Sequence, residues 1–220
     1  MSEKLPGIQA RIIDKYRQRA KGYDASGIEA LDPWRREAVA LLRVGRGDLV
    51  VDVGCGTGLN FAPLQEAIGP EGRIVGVDLT DAMLDQARQR VARHGWTNVE
   101  LVQSDAAHYA FPGRVDGIIS TFALAFIPEC ARVIGNGCRA LAPGRHWVVL
   151  DMAWPAGWPL WLRHLLPVFP SLPAYGITAD VVERRPWQAV QEAMDQQLTE
   201  VVRKRFWMGL FYLTAARQPL

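Results

Sequence analysis

The chain is poor in the residues that metal and nucleophile chemistry use most. Its three cysteines, Cys55, Cys130 and Cys138, form no CxxC pair and no metal-ligand spacing. An odd, scattered set argues against a disulfide framework and for a reducing, cytoplasmic setting. The four histidines, His94, His108, His146 and His164, are equally dispersed. There is no HExxH pair and no Ser-His-Asp order, so zinc-peptidase and triad-hydrolase chemistry are excluded and no metal site is expected. Neither sign of charge dominates. The 25 Lys and Arg against 23 Asp and Glu leave a net +2, too little to argue for a nucleic-acid partner. No uninterrupted apolar run approaches bilayer-spanning length, and MSEKLPG at the N-terminus lacks the apolar stretch of a signal peptide. There is no internal repeat. With 220 residues, 49% hydrophobic and 22% charged, one domain over 1–220 is expected. What the chain does have in excess is tryptophan. Of its eight, Trp154, Trp158, Trp161 and Trp187 fall in one segment.

The chain is organised around Leu49–Asn60, LVVDVGCGTGLN. Leu49, Val50, Val51 and Val53 form the apolar, mostly β-branched run of a parallel strand covered on both faces. Gly54, Gly56 and Gly58 follow at every second position. Glycine permits positive φ and lets a ligand approach the backbone with no Cβ in the way. The spacing is GxGxG; Leu59 stands where the GxGxxG of NAD-binding turns needs its third glycine, and the Lys-Ser/Thr ending of a P-loop is missing. A second apolar run, Ile74–Asp78, ends in an acid 20 residues beyond Gly58. A carboxylate at the tip of the second strand can accept from both ribose hydroxyls.

Strand, GxGxG turn, helix, strand and acid together resemble the class I S-adenosylmethionine-dependent methyltransferases, over roughly Tyr16–Arg217. The resemblance implies a Rossmann-like α/β fold with a seven-stranded, mostly parallel sheet, an antiparallel last strand and helices on both faces. It implies S-adenosylmethionine as cofactor and a cofactor-binding set. Asp52, Gly54, Cys55, Gly56 and Gly58 form the glycine turn, which receives the methionine part. Asp78 and Leu79 hold the ribose. Met83 covers the adenine or is plain core. Ser104, Asp105 and Ala106 follow strand three, where Asp105 accepts from the adenine amino group or caps the next turn. Thr121 and Phe122 border the reacting methyl. This last position carries no NPPY-type run, which disfavours methylation of DNA adenine. Tyr16 and Tyr23 bracket YRQRAKGYD, similar to the Tyr-Asp signature of the quinone C-methyltransferase and bacterial phospholipid N-methyltransferase group. There the segment folds over the cofactor, so both tyrosines are catalytic candidates, Tyr16 as a contact to the methionine end or the acceptor, with core packing as the alternative. His108, after strand three, and His164 are candidate bases. Methyl transfer needs alignment and water exclusion more than acid–base machinery, which suits a chain with so little of the latter. A non-methyl S-adenosylmethionine-using transferase and a non-enzymatic binding protein stand as alternatives.

The other elements follow from periodicity and punctuation. Ile8, Ile12, Tyr16 and Ala20 recur at i+4, predicting an amphipathic helix over 7–21 whose remaining faces carry Arg11, Lys15, Arg17, Arg19 and Lys21; residues 1–46 read as a helical lid. Asp32 as N-cap before Pro33 starts a helix to about Arg43. Helices are expected at about Phe61–Ile68, from a Thr80 cap to His94, and from Pro128 to about Leu141. Strands are expected at Val99–Gln103, Val115–Thr121 and, after an Ala142-Pro143-Gly144 turn, Trp147–Met152. Residues 153–187 are Trp-rich and broken by Pro155, Pro159, Pro167, Pro170, Pro173 and Pro186, and read as an apolar insert over the acceptor pocket. A helix at about Trp187–Gln197 and a hairpin of Thr199–Trp207 with Phe211–Arg217 complete the chain. The basic helix, the tryptophans and Arg203-Lys204-Arg205 point to a small lipophilic acceptor, such as a phospholipid amine or a quinone, and to reversible contact with a membrane surface. A soluble metabolite under a tryptophan-filled lid is the competing reading.

Overall fold

Val50, Val51, Val53, Ile74, Val77, Ile118 and Ile119 expose no surface at all, as the apolar runs require of a sheet covered on both sides. A computed structural model describes residues 5–25, 31–168 and 178–220. In it these runs are neighbouring strands of one seven-stranded sheet. The strands are β1 (Leu49–Val53), β2 (Arg73–Asp78), β3 (Val99–Gln103), β4 (Val115–Thr121), β5 (Leu141–Met152), β6 (Thr199–Phe206) and β7 (Phe211–Arg217). Their order is β3-β2-β1-β4-β5-β7-β6. All neighbours pair parallel except β7, which runs antiparallel to both β5 and β6. The helices are α1 (Leu5–Arg19), α2 (Asp32–Leu41), α3 (Phe61–Ile68), α4 (Asp81–His94), α5 (Cys130–Ala140), α6 (Ala179–Arg184) and α7 (Pro186–Gln197).

The connections run outward from β1 to β3 on one side and from β4 to β6 on the other, so the crossover direction reverses between β1 and β4. A crevice opens at the carboxyl ends of strands at such a point. Register places the loop starts side by side along that edge, with Val53 opposite Val77 and Asp78 opposite Gln103. Gly54, Leu79, Ser104 and Phe122 therefore leave the sheet together.

Local chemistry shifts several boundaries. α2 begins at Asp32, with Leu31 in the cap position and 1% exposed. Burying Leu31 draws Asp32 into the first turn, where it faces Arg35 across 3.7 Å instead of capping. Thr80 does hold the cap position of α4, but its hydroxyl makes no cap bond; its N–H donates to Asp78 Oδ1 at 2.8 Å. α5 starts at Cys130, after a short 3-10 turn at Leu124–Phe126. β5 starts at Leu141, and the Ala142-Pro143-Gly144 stretch is absorbed as an irregularity, since the pairing jumps from Val115–Leu141 to Gly117–His146 and Gly144 takes φ +77°. Among its described residues the Pro-rich insert holds two short helical pieces, Leu160–Val168 and α6. Pro170 and Pro173 lie outside the described residues, as do 26–30 of the N-terminal segment.

Candidate active site

The glycine turn is stitched to the end of β2. The N–H groups of Gly54 and Cys55 both donate to the Val77 carbonyl, at 2.8 and 3.0 Å. The turn runs through positive φ at Gly54, Gly56 and Gly58, but the three glycines serve different ends. A Cβ on Gly54 would lie 2.2 Å from Ala123 Cβ, and one on Gly58 2.5 Å from the Phe61 ring; both positions are closed by the protein's own packing. Gly56 borders a cavity, with Met83 Cε the nearest atom to a Cβ there at 3.2 Å.

That cavity lies at the carboxyl edge of the sheet. The glycine turn contributes Gly54, Cys55 and Gly56, and the end of β2 contributes Asp78 and Leu79, with Met83 from α4 beside them. Ser104, Asp105 and Ala106 arrive from the end of β3, Thr121 and Phe122 from β4. α1 and the turn after it place Tyr16 and Tyr23 over the opening. Three residues of the expected set do not line it: Asp52, Gly58 and His108. Arg35, Ile12, Phe126 and Ile127 do line it, and the sequence reading passed over them. Arg35 had a signal, since it shares the buried face of α2 with Ala38 and Val39.

Asp78 is held rigidly. Oδ2 accepts from Gly56 N–H at 2.9 Å and Oδ1 from Thr80 N–H at 2.8 Å, with the Thr80 side chain and Leu79 N–H adding further donors. Burial raises its pKa, and the backbone donors oppose that rise. Asp105 is fixed from behind. Oδ1 accepts from Ala107 N–H at 3.0 Å and Oδ2 lies 3.0 Å from His108 Nδ1. His108 is exposed, and its Nε2 accepts from Arg132 at 3.3 Å, so its ring is committed to orienting Asp105 from the outer side. His164 is exposed on the insert and His94 stacks on Trp96, with centroids 4.5 Å apart.

At the other end of the cavity is a buried polar network. Arg35, 4% exposed, donates through Nη1 to Thr121 Oγ1 at 2.8 Å. Asn60 Nδ2 donates to the same hydroxyl at 3.0 Å and to both oxygens of Asp52 at 3.1 Å. The guanidinium carbon sits 5.0 Å from the Phe122 ring centroid, and Nε has no hydrogen-bond partner. Phe122 itself takes φ +56°, a strained state for a bulky residue. The turn after it is anchored by Asp151, fully buried on β5. This carboxylate accepts from Ala125 N–H at 3.0 Å and Met152 N–H at 2.8 Å, with Ala123 and Leu124 adding further backbone donors.

Burial pushes both Asp52 and Asp151 up to about 7, against the pull of their hydrogen-bond donors. Because each folded pKa lies above the unfolded one, the folded chain holds these protons more tightly. Their contribution to stability therefore falls as pH rises from about 4 to about 7. His146, whose pKa burial lowers, works in the opposite sense. The clean measurement is therefore a difference between variants. Asp52→Asn is expected to shrink the loss of stability between pH 5 and pH 8, read from urea midpoints, relative to wild type. An unchanged pH slope would place the titration elsewhere.

The cover is tied down from two directions. Tyr16 packs edge-on against Tyr23 and Phe126, with centroids 6.1 and 5.8 Å away. Burial raises both phenol pKa values, so the hydroxyls stay protonated. Lys15 is half-buried over the Tyr16 and Phe126 rings, and desolvation lowers its pKa. Arg17 makes a two-pronged pair with Asp81, both contacts 2.9 Å. Asp24, of the Tyr-Asp signature, accepts from Thr57 Oγ1 at 2.6 Å and pairs with Arg90 of α4. The described residues of 153–187 border a second cleft rather than this cavity.

Residues 50–144 match the family described as Methyltransferase domain. Demethylmenaquinone methyltransferase of Listeria monocytogenes serotype 4a (strain HCC23) is 34% identical over 143 residues, 62% of this chain and 60% of that protein. The chain thus spans about 60% of the length of that relative. Aklanonic acid methyltransferase DauC of Streptomyces sp. (strain C5) is 26% identical over 73% of this chain and 74% of its own. Among solved structures, a SAM dependent methyltransferase from Aquifex aeolicus superposes with a TM-score of 0.65 at 19% identity, covering 89% of this chain and 96% of that one. Geranyl diphosphate C-methyltransferase from Streptomyces coelicolor A3(2), solved with Mg2+, geranyl diphosphate and S-adenosyl-L-homocysteine, gives 0.65 at 16% identity over 84% and 78%. At these identities the two structures share the fold.

Proposed function

We propose that this chain, whose residues 50–144 match the family described as Methyltransferase domain, transfers a methyl group from S-adenosylmethionine to a small lipophilic acceptor. The observation that carries the reading is the composition of the cavity. Lining it are Asp78, a buried carboxylate at the end of β2, and the bare Gly56 backbone. Beside them are the buried Arg35, whose Nε makes no hydrogen bond and meets Asp32 only across 3.7 Å, and a wall of Phe122, Phe126 and Tyr16. An amino-acid carboxylate suits the arginine, ribose hydroxyls suit Asp78, and an apolar acceptor suits the aromatic wall.

Bound S-adenosylmethionine supplies a methyl group activated on a sulfonium. The chain's own residues then bind and align. Asp78 accepts from the ribose hydroxyls and Asp105 from the adenine amino group, with Met83 against the ring. Arg35 takes the carboxylate. Tyr16 and Tyr23 are protonated hydroxyl donors and ring walls, and with Phe126 they exclude water from above. No residue of this set is assigned as a general base, and His108 acts through Asp105. The relatives' names speak of demethylmenaquinone and aklanonic acid, and one fold neighbour was solved with geranyl diphosphate; the acceptor is proposed in this lipophilic class. The scattered cysteines, all buried and free, support a cytoplasmic setting; reversible contact at the bilayer surface belongs to the same reading of a lipophilic acceptor.

The test is product analysis with fractionated cell extract as the acceptor source. S-adenosylhomocysteine is expected to accumulate together with a lipid-soluble species heavier by one CH2. Another S-adenosylmethionine-derived product, such as methylthioadenosine, would replace methyl transfer with a different group transfer. A water-soluble polar acceptor turned over efficiently would refute the lipophilic class.

A further inference from the structure

The tip of the β6–β7 hairpin is built against local preference. Trp207, Met208 and Gly209 take φ of +44°, +52° and +93° in succession. Turns of this hand suit Asn and Gly; L-residues with bulky side chains are strained there. Yet two of the three are large and apolar, and both face solvent: Trp207 is 45% exposed and Met208 81%. The tip is not alone. Gly209 lies against Pro155 of the insert, and the adjoining stretch exposes Trp158, Trp161 and Leu165 at 39%, 60% and 43%. Among the described residues, the exposed large apolar side chains other than Val202 and Leu220 thus belong to this tip and the stretch that follows β5, at the edge of the sheet that carries the cavity.

Beside this patch is the second cleft, walled by Trp154, Leu160 and Trp187 and rimmed by Arg185 and Arg205. Neighbouring cations are engaged: Arg203 pairs with Asp195, Lys204 with Glu37, and Arg184 with Asp180. Among the described residues Arg185 and Arg205 have no carboxylate partner; Arg205 makes one long bond, 3.4 Å, to the Gly209 carbonyl. Arg185 also sits in the left-handed region, at φ +50°, where glycine would rest without strain. Two unpaired guanidinium groups next to protruding tryptophan and methionine form a surface complementary to anionic headgroups above an apolar layer.

We propose that the β6–β7 tip and the adjoining arginine cleft dock on an anionic lipid bilayer, with Trp207 and Met208 entering the interfacial layer and Arg185 and Arg205 meeting lipid phosphates. Its use in catalysis rests on the lipophilic-acceptor reading above. An aromatic series joins tip and cavity: Trp207 to Phe211 at 5.3 Å, and Phe211 to the cavity residue Phe122 at 5.8 Å. Docking by this face would bring the cavity edge of the sheet toward the membrane. It also moves the contact away from the basic helix α1, where Arg17 is tied to Asp81 and Lys15 lies over aromatic rings.

Vesicle flotation of the full chain tests this, using phosphatidylcholine vesicles with and without phosphatidylglycerol, alongside S-adenosylhomocysteine affinity and melting temperature for each variant. Wild type is expected to float with the anionic vesicles and not with phosphatidylcholine alone. Met208→Asn is the decisive variant, because Asn tolerates the left-handed region. It is expected to keep or raise the melting temperature while reducing vesicle binding at least fivefold. Arg185→Gln and Arg205→Gln are each expected to weaken anionic-vesicle binding about fivefold, whereas Lys21→Gln, beside α1, is expected to leave it unchanged. Wild type failing to bind anionic vesicles, Met208→Asn binding like wild type, or Lys21→Gln abolishing binding would each overturn the proposal. Loss of vesicle binding with ligand affinity intact separates failure of docking from failure of the cofactor reading, in which affinity is absent from the start.

Discussion

Gly56→Val is expected to abolish binding of S-adenosylhomocysteine while leaving the far-UV circular dichroism spectrum largely intact. Two costs combine at this position. The backbone holds φ +56°, which a β-branched residue adopts only with strain of about 1–2 kcal/mol. The new side chain also meets Met83 Cε at 3.2 Å from its first carbon, and its methyl groups extend into the cavity. The strain lowers stability by a few degrees in melting temperature, since about 1 kcal/mol shifts a chain of this size by about 2–4 °C. The occlusion removes affinity outright. Gly56→Ala, with strain but little bulk, should fall between the two in calorimetric titration. Full affinity in Gly56→Val would mean that the ligand does not approach the turn at its middle glycine.

Asp78→Ala is expected to lower S-adenosylhomocysteine affinity by at least tenfold and to lower the melting temperature as well. The affinity loss follows from removing a charged acceptor, for which hydrogen bonds contribute about 1.5–3 kcal/mol. The stability loss follows from the two N–H groups, of Gly56 and Thr80, that the carboxylate now satisfies and that alanine would leave unpaired. Asp78→Asn keeps one acceptor oxygen but turns an amide donor toward another donor, so it should recover part of the stability and little of the affinity. Titration calorimetry and thermal unfolding on the two variants separate the contributions. Wild-type affinity in Asp78→Ala would move the ribose site elsewhere.

The features legible in the chain were those encoded locally. Strand β1 with its glycine turn, β2 ending in Asp78, helix α3 and strands β3, β4 and β7 lie at the boundaries that periodicity and punctuation assign. Each is specified by residues within a few positions of one another. Contacts between distant residues were illegible. Arg35 meets Thr121 across 86 positions, and only the burial of the α2 face signals that an arginine points inward. Asp24 reaches Arg90 across 66. His108 looked available because it follows a strand at the ligand edge, but the Arg132 side chain, brought near by α5, fills its other side. Residues 153–187 read as a lid because they are apolar and lie after β5. Composition gives no direction; Trp154, Leu160 and Trp187 line a cleft with Arg205, and residues 169–177 lie outside the described residues.

The fastenings of α1 bear on turnover. Beyond the packing of Ile12 and Tyr16, the cover is held by the Arg17–Asp81 pair, about half exposed on both sides, and by the Asp24 clamp on Arg90 and Thr57. The exposed Arg17–Asp81 pair contributes about 0–1 kcal/mol, whereas Asp24 is held on the part-buried Arg90 and the buried Thr57. The sheet beneath is closed by seven paired strands. Amide exchange in α1 is therefore expected to be faster than in the central strands. Under the proposed methyl transfer, release of S-adenosylhomocysteine past α1 is therefore expected to quicken with added salt, which screens the exposed Arg17–Asp81 tie.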